Sequence, residues 1–218
     1  MQLSPAKVHA QKPKINPELL NAVTHAIGAL GFFFCMVALL FKAYDAQDGW
    51  KIFSAYVYGV SLVLMYLASA FYHAAQSPGI KRVLHLLDHS AIFVLIAGSY
   101  TPFLLVGLRT HIHISFIITM WAIALVGIIY KVVLIGKYRL FSTFIYLAMG
   151  WMVMLKIHVF YRYLPEMTIW WIVIGGLFYS MGTFFYIHRK LTYSHAYWHL
   201  MVLGGSASHF IAIYYYVY

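Results

Sequence analysis

The stretch SHAYWHLMVLGGSASHF, residues 194–210, sets His195 and His199 four residues apart at the mouth of a long apolar run, with His209 well inside it. On a helix, residues i and i+4 share a face one turn apart, so this pair can turn both imidazoles toward one ion. Ser69 and His73 repeat the spacing where another apolar run closes, in LASAFYH, and Asp88 opens a third in HLLDHSAIF. Three neutral imidazoles plus a water make a tetrahedral zinc site with an open position, the arrangement of catalytic rather than structural zinc. His73, His195 and His199 are the candidate ligands. Asp88 would then sit where an ionised carboxylate is costly unless a cation or a donor meets it. A metal-bound water, or the second nitrogen of a ligand histidine, would satisfy it, and Ser69 could share a hydrogen bond with that water. A lone HxxxH is a common chance pattern in a chain with 12 histidines; the weight comes from adding His73 and Asp88 at a matching depth.

The elements that must position these residues are membrane helices. Of 218 residues, 63% are hydrophobic and 9% charged, far from the roughly one quarter charged of a water-soluble domain. The apolar residues fall in seven blocks, 26–41, 52–71, 90–108, 112–130, 140–155, 168–187 and 196–218. Each approaches the roughly 20 residues a helix needs to cross the hydrocarbon core. Alternating strand patterns are absent, and helices satisfy their own backbone in lipid. The expected fold is an all-α integral membrane protein with seven transmembrane helices, a tail over residues 1–21 and one domain over 22–218. The opening segment is polar, with Lys7, Lys12 and Lys14, and does not read as a cleavable signal.

Charge sets the expected orientation. The formal net charge is +10, but the basic residues sit at block ends rather than on one face, which argues against nucleic acid as a partner. With seven spans, one side collects Lys7, Lys12, Lys14, Lys81, Arg82, Lys131, Lys137, Arg139, Arg189 and Lys190. The other holds Lys42, Lys51, Arg109, Lys156 and Arg162, with Asp45, Asp48 and Glu166. The positive-inside rule puts the N-terminus and its tail in the cytoplasm and the C-terminus outside. Glu18, Asn21, His25, Ser69, His73, Asp88, His195 and His199 then all belong to the cytoplasmic leaflet, although they span about 180 residues of sequence.

The remaining residues take plainer roles. His85, His89 and His188 flank loops and read as solvated, while His111 and His113 fall on the opposite side. His158 and His209 lie about 15 Å or more from the proposed ion at 1.5 Å per residue, so His209 reads as a core histidine bonded across helices. Cys35, the single cysteine, excludes an intrachain disulfide and reads as helix packing. Gly175, Gly176, Gly204 and Gly205 allow close helix approach, and Pro102 should kink the third helix or free a carbonyl. Trp50, Tyr72, Trp170, Trp171 and Tyr214 to Tyr216 suit interfacial belts.

The segments ELLNAVTHAIGA, SAFYHAA, LLDHSAIFVLIAGSYTPFLLVGL, YLAMGW and SHAYWHLMVLGGSASHF together resemble the bacterial hemolysin III family, the prokaryotic branch of the progestin and adipoQ receptor family. The likeness runs from about Glu18 to the C-terminus. It implies seven helices, a cytoplasmic N-terminus and Zn2+ near the cytoplasmic face, held at positions matching His73, His195 and His199, with Asp88 and Ser69 around a bound water. Glu18, Asn21 and His25 match a further family motif without an assigned role. The resemblance also implies a part in membrane fluidity and lipid homeostasis, and its eukaryotic branch, similar in site layout to alkaline ceramidases, implies hydrolysis of lipid amides.

Three function classes follow. A zinc hydrolase would use Asp88 as general base or water orienter on an amide or ester of a membrane lipid, the partner implied by a site sunk in the leaflet. A sensor or receptor would use the metal only to tie helices together. A transporter or pore would be expected to place several acids or backbone breaks near the midplane, and the candidate there is Asp88 alone. There is no HExxH for a soluble-type metalloprotease and no lysine in 196–218 for a retinal Schiff base. The residues name no protein partner, and three imidazoles also accept metals other than zinc.

Overall fold

The computed structural model describes residues 15–111, 114–134, 139–188 (without the Arg139 side chain) and 191–218. Lys7, Lys12, Lys14, His113, Lys137, Arg189 and Lys190 lie outside the described residues. Among the described residues the regular elements are helical: α1 (Pro17–Asp45), α2 (Gly49–Ala74), α3 (Pro78–Pro102), α4 (Ser115–Val133), α5 (Arg139–Gly150), α6 (Ile157–Tyr163), α7 (Glu166–Ile187) and α8 (Ser194–Tyr216).

Local chemistry fixes where they start. Asn16 caps α1 by accepting from the Glu18 amide at 2.9 Å, with Pro17 in the first turn, where its missing N–H costs nothing. Asp48 does the same for α2, accepting from the Trp50 and Lys51 amides. A proline in the first turn also opens α3 at Pro78, so this helix begins ten residues before Asp88. Asp88 is therefore an interior residue of α3, three turns in, and not its opening residue.

Among the described residues six helical runs are long and apolar enough to cross a bilayer: Pro17–Asp45, Gly49–Ala74, Pro78–Gly107, Ser115–Val133, Leu140–Tyr163 and Glu166–Ile187. Their outward faces stay apolar, with Leu30, Phe34, Leu64, Leu125, Val126 and Leu177 all exposed, as lipid-facing helices require. The 23-residue α8 is long enough but more polar, because it carries the histidines and Ser194, Ser206 and Ser208. Helix α1 packs on α2 and α8, α2 on α3, α3 on α4, and α7 on α8. Tyr58, Tyr66 and Phe93 are fully buried between them, and half-buried Cys35 packs against the same core.

Two helices lose regularity beside that core. After Pro102 the chain makes a π turn over Phe103–Gly107, in which the Leu108 amide donates five residues back to the Phe103 carbonyl at 2.9 Å. The expected kink is thus a widened turn. Between α5 and α6 the backbone tightens to a 3-10 segment, Trp151–Lys156. Irregular backbone at this depth needs partners within the protein. Tyr100 supplies them: its hydroxyl donates to the Gly150 carbonyl at 2.7 Å and accepts from the Val153 amide at 2.8 Å.

Candidate metal centre

His73 stands at the last turn of α2, and His195 and His199 on the first turns of α8. Packing of α1 against both helices brings the three together. One ring nitrogen from each lies within 4.8 Å of the others, and the His73 and His195 Nε2 atoms are 3.2 Å apart. A tetrahedral ion about 2.0–2.1 Å from each imidazole nitrogen would set those nitrogens roughly 3.3 Å apart. The cluster therefore needs only small ring adjustments to close on a metal ion.

The hydrogen bonds around the rings give a stronger test of fit. His73 Nδ1 lies 3.3 Å from the Glu18 carboxylate, which Lys81 also holds, its Nζ donating at 2.6 Å. His199 Nδ1 lies 3.1 Å from the Asn21 carbonyl oxygen and 3.1 Å from the Thr24 hydroxyl. The Thr24 hydroxyl itself donates to Asn21 O, so its oxygen is left to accept. A carboxylate and a carbonyl can only accept, so both Nδ1 atoms carry the proton. His73 and His199 must then present lone pairs at Nε2, as a metal requires.

None of these three outer partners follows from helical spacing. Glu18, Asn21 and Thr24 all come from the start of α1, which begins at Pro17 and so takes Glu18 and Asn21 out of the tail. His25, two turns on, stacks on His199 with centroids 3.5 Å apart and meets Tyr66 edge-on at 4.8 Å.

The histidines open onto a cavity of about 120 Å3 inside the bundle. Ser69 and Asp88 line it with His195 and His199. Both are buried, and His89 Nδ1 lies 3.5 Å from the Asp88 carboxylate. A buried lysine on α4, Lys131, adds an opposite charge that Asp88 feels, while its Nζ donates to Ser142 at 2.7 Å. All five residues singled out from the sequence thus meet at one end of the bundle, three as a cluster and two in the adjoining wall.

His85 and His89 differ from expectation. Both are half-buried rather than solvated, because α3 extends far enough to fold them against α2 and α7. His85 lies 5.0 Å from the Tyr72 ring. His89 bonds the His85 carbonyl through Nδ1 at 3.0 Å and lines the cavity beside Asp88. His188 is exposed, as expected, and His111 lies away from the site, stacked on Tyr163 at 3.7 Å. His209 is a core histidine bonded across helices, as its position suggested: Nε2 meets the Ile172 carbonyl of α7 at 3.3 Å.

Fold and site together define a multi-pass helical membrane protein with a buried histidine cluster, able to hold a metal ion, at one end of its bundle. Comparison with known proteins makes the class specific: residues 14–210 match the haemolysin-III related family, and the chain belongs to it. It is 40% identical over 202 residues to a hemolysin-3 homolog of Bacillus subtilis (strain 168), covering 93% of this chain and 95% of that relative. Identity to hemolysin-3 of Bacillus cereus is 37% over 203 residues, 93% of each chain. A more distant likeness, 30% over 225 residues, covering 95% of this chain and 87% of the other, is to the human monocyte to macrophage differentiation factor.

Proposed function

We propose that this protein is a zinc-dependent hydrolase of an amide or ester bond in a membrane lipid, acting in membrane lipid and fluidity homeostasis in the inner membrane. The observation that carries the proposal is the orientation of the cluster. With Nδ1 protonated on His73 and His199 their lone pairs lie at Nε2, and one ring nitrogen from each of the three histidines lies within 4.8 Å of the others, beside a cavity walled by Asp88 and Ser69. In this reading α8 is the seventh crossing, the N-terminus is cytoplasmic and the C-terminus is outside, and the site lies under the inner headgroups.

His73, His195 and His199 would hold the ion. Zinc bound by three neutral imidazoles supplies Lewis acidity and brings the pKa of its water to about 7. Asp88 takes the proton of the attacking water and returns it to the leaving amine or alcohol as the acyl–nitrogen or acyl–oxygen bond breaks. Ser69, in the same wall, would donate to that carboxylate and keep it facing the attacking oxygen. The apolar remainder of the cavity holds the acyl chain and excludes bulk water.

One feature favours a second reading, a membrane-state sensor with structural zinc: the cluster and its outer partners join α1, α2 and α8, so an ion there would staple three helices. Asp88 separates the two readings. Zinc analysis of purified protein, wild type against His195→Ala, comes first, and equal zinc in both ends the site assignment. Asp88→Ala that keeps its zinc but loses hydrolysis of fatty amides supports the enzyme. Zinc-loaded wild type that hydrolyses no fatty amide, with normal function of Asp88→Ala in the cell, supports the sensor.

A further inference from the structure

The cavity has a second polar pole, far from the histidine cluster. It runs along α8 from His195 and His199 past Val202 to His209, where Tyr179 and Phe103 complete the wall. Ten residues of helix separate His199 from His209, about 15 Å at 1.5 Å per residue. The His209 ring is fully committed at one nitrogen only. Nε2 faces the Ile172 carbonyl at 3.3 Å, which must accept, so Nε2 carries the proton and Nδ1 carries a lone pair. That Nδ1 is buried and has no hydrogen-bond partner among the described residues. An acceptor left bare in a lipid-depth cavity is costly, so a donor from outside the chain is expected.

The surroundings are built to keep the ring there. A Cβ on Gly175 would overlap the His209 imidazole and come within 3.1 Å of the Gly205 carbonyl, so glycine is what lets α7 pass this close. Tyr179 stands edge-on to the ring at 5.5 Å and Phe103 at 6.4 Å, which fixes its plane. The Tyr179 hydroxyl is engaged with Ser206 at 2.9 Å and the Tyr100 hydroxyl with the Gly150 carbonyl. Neither is free to turn to His209.

We propose that His209 Nδ1 is a second anchor of the cavity, accepting a hydrogen bond from a hydroxyl near the far end of the bound chain. The ligand class is then an amphiphile with two polar ends, an acyl amide or ester at the histidine cluster and an O–H donor roughly 15 Å away. This rests on the reading above that the cavity receives an acyl chain, and it adds the specificity of that same site.

The test uses the full chain in lipid nanodiscs, with three matched series of fatty amides ending in hydroxyl, methyl or methoxy. Methoxy keeps the oxygen but removes the donor. The expected result is that the hydroxyl series binds about tenfold tighter than both others at the length that spans the two poles. In His209→Phe that preference should vanish, the hydroxyl series binding no tighter than the methyl series. With 15N-labelled histidine, the His209 Nδ1 resonance should move on adding the hydroxyl compound and not the methoxy one, a shift that a purely structural histidine would not show. Equal binding of the three series to wild type, leaving a resident water as the only donor, overturns the inference while leaving the acyl-chain reading intact. So does a preference that survives in His209→Phe. Binding of none of the series overturns both readings. Should His209→Phe fail to fold, the wild-type comparison and the resonance decide alone.

Discussion

Removing the carboxylate at Glu18 should weaken metal binding without touching a ligand. The Glu18 side chain accepts from His73 Nδ1 at 3.3 Å and is itself held by Lys81 at 2.6 Å. It does two things: it fixes the His73 tautomer with Nε2 bare, and it raises the basicity of the ring. Loss of such an outer partner typically costs 10- to 100-fold in metal affinity. Two features place this case at the lower end. The 3.3 Å contact is long for a charge-assisted hydrogen bond, and the Glu18 side chain is 49% exposed, so water and salt screen part of its charge. The expected loss for Glu18→Ala is about tenfold, near 1.4 kcal/mol. Glu18→Gln should lose only a few-fold, because an amide oxygen can still accept from Nδ1. Lys81→Met should fall below Glu18→Ala in effect, since it removes only the group that holds the carboxylate. Competition against a chelator of known affinity, on purified protein in detergent, measures all three. If Glu18→Ala binds zinc as tightly as wild type, the tautomer argument fails, and with it the reason for counting α1 as part of the site.

Three further outcomes follow from the same geometry. Asp88→Asn should keep its zinc, because Asp88 lies beside the cluster rather than in it, and lose hydrolysis by roughly 100-fold or more, as for a general base; single-turnover assay with metal analysis on the same sample checks both. Gly175→Ala should destabilise the protein by about 1–3 kcal/mol, the usual cost of overpacking, since the added methyl meets the His209 ring; thermal unfolding in detergent reads it. In the loop between α1 and α2, desolvation raises the Asp48 pKa, but the Trp50 and Lys51 amides, with the charges of Arg109 and Lys51, outweigh it and hold the carboxyl below its usual range. Its capping contribution is therefore complete above the unfolded carboxylate pKa and is lost as pH falls through the lower folded value. Asp48→Ala should cost about 0.5–2 kcal/mol at neutral pH and much less in acid, measured by the same unfolding assay.

The apolar blocks located the six long spans because lipid leaves a helix no alternative way to satisfy its backbone. Their ends were less legible. The blocks begin at Ala26 and Ser90, whereas α1 and α3 begin at Pro17 and Pro78. In both cases the first two to three turns are more polar than the rest, so hydropathy missed them; the signal that would have found them is the proline in each first turn, with Asn16 capping α1. That polar overhang explains the misplacing of His89: a histidine ten or so residues into α3 has neighbours, whereas one at a loop edge would not. His73, His195 and His199 were legible because i, i+4 spacing is a property of one helix. The contacts Glu18 to His73 and Asn21 to His199 join residues 55 and 178 positions apart, and only the packing of α1 against α2 and α8 creates them.

This division of labour bears on how the centre forms. Helices α2 and α8 bring the three imidazoles, but each of the two rings with a defined tautomer takes it from α1. A chain in which α1 had not yet docked would offer rings free to rotate and exchange tautomers, and a metal would have to order them at its own expense. With α1 docked, Glu18 and the Asn21 carbonyl have already selected the Nε2 lone pairs, and His25 stacks on the His199 ring. Metal binding and the docking of α1 must therefore favour each other by the same free energy, as linkage requires. If the cluster holds an ion, any change that loosens α1, including one at its far end near Lys42 and Tyr214, should lower the affinity for it from a distance.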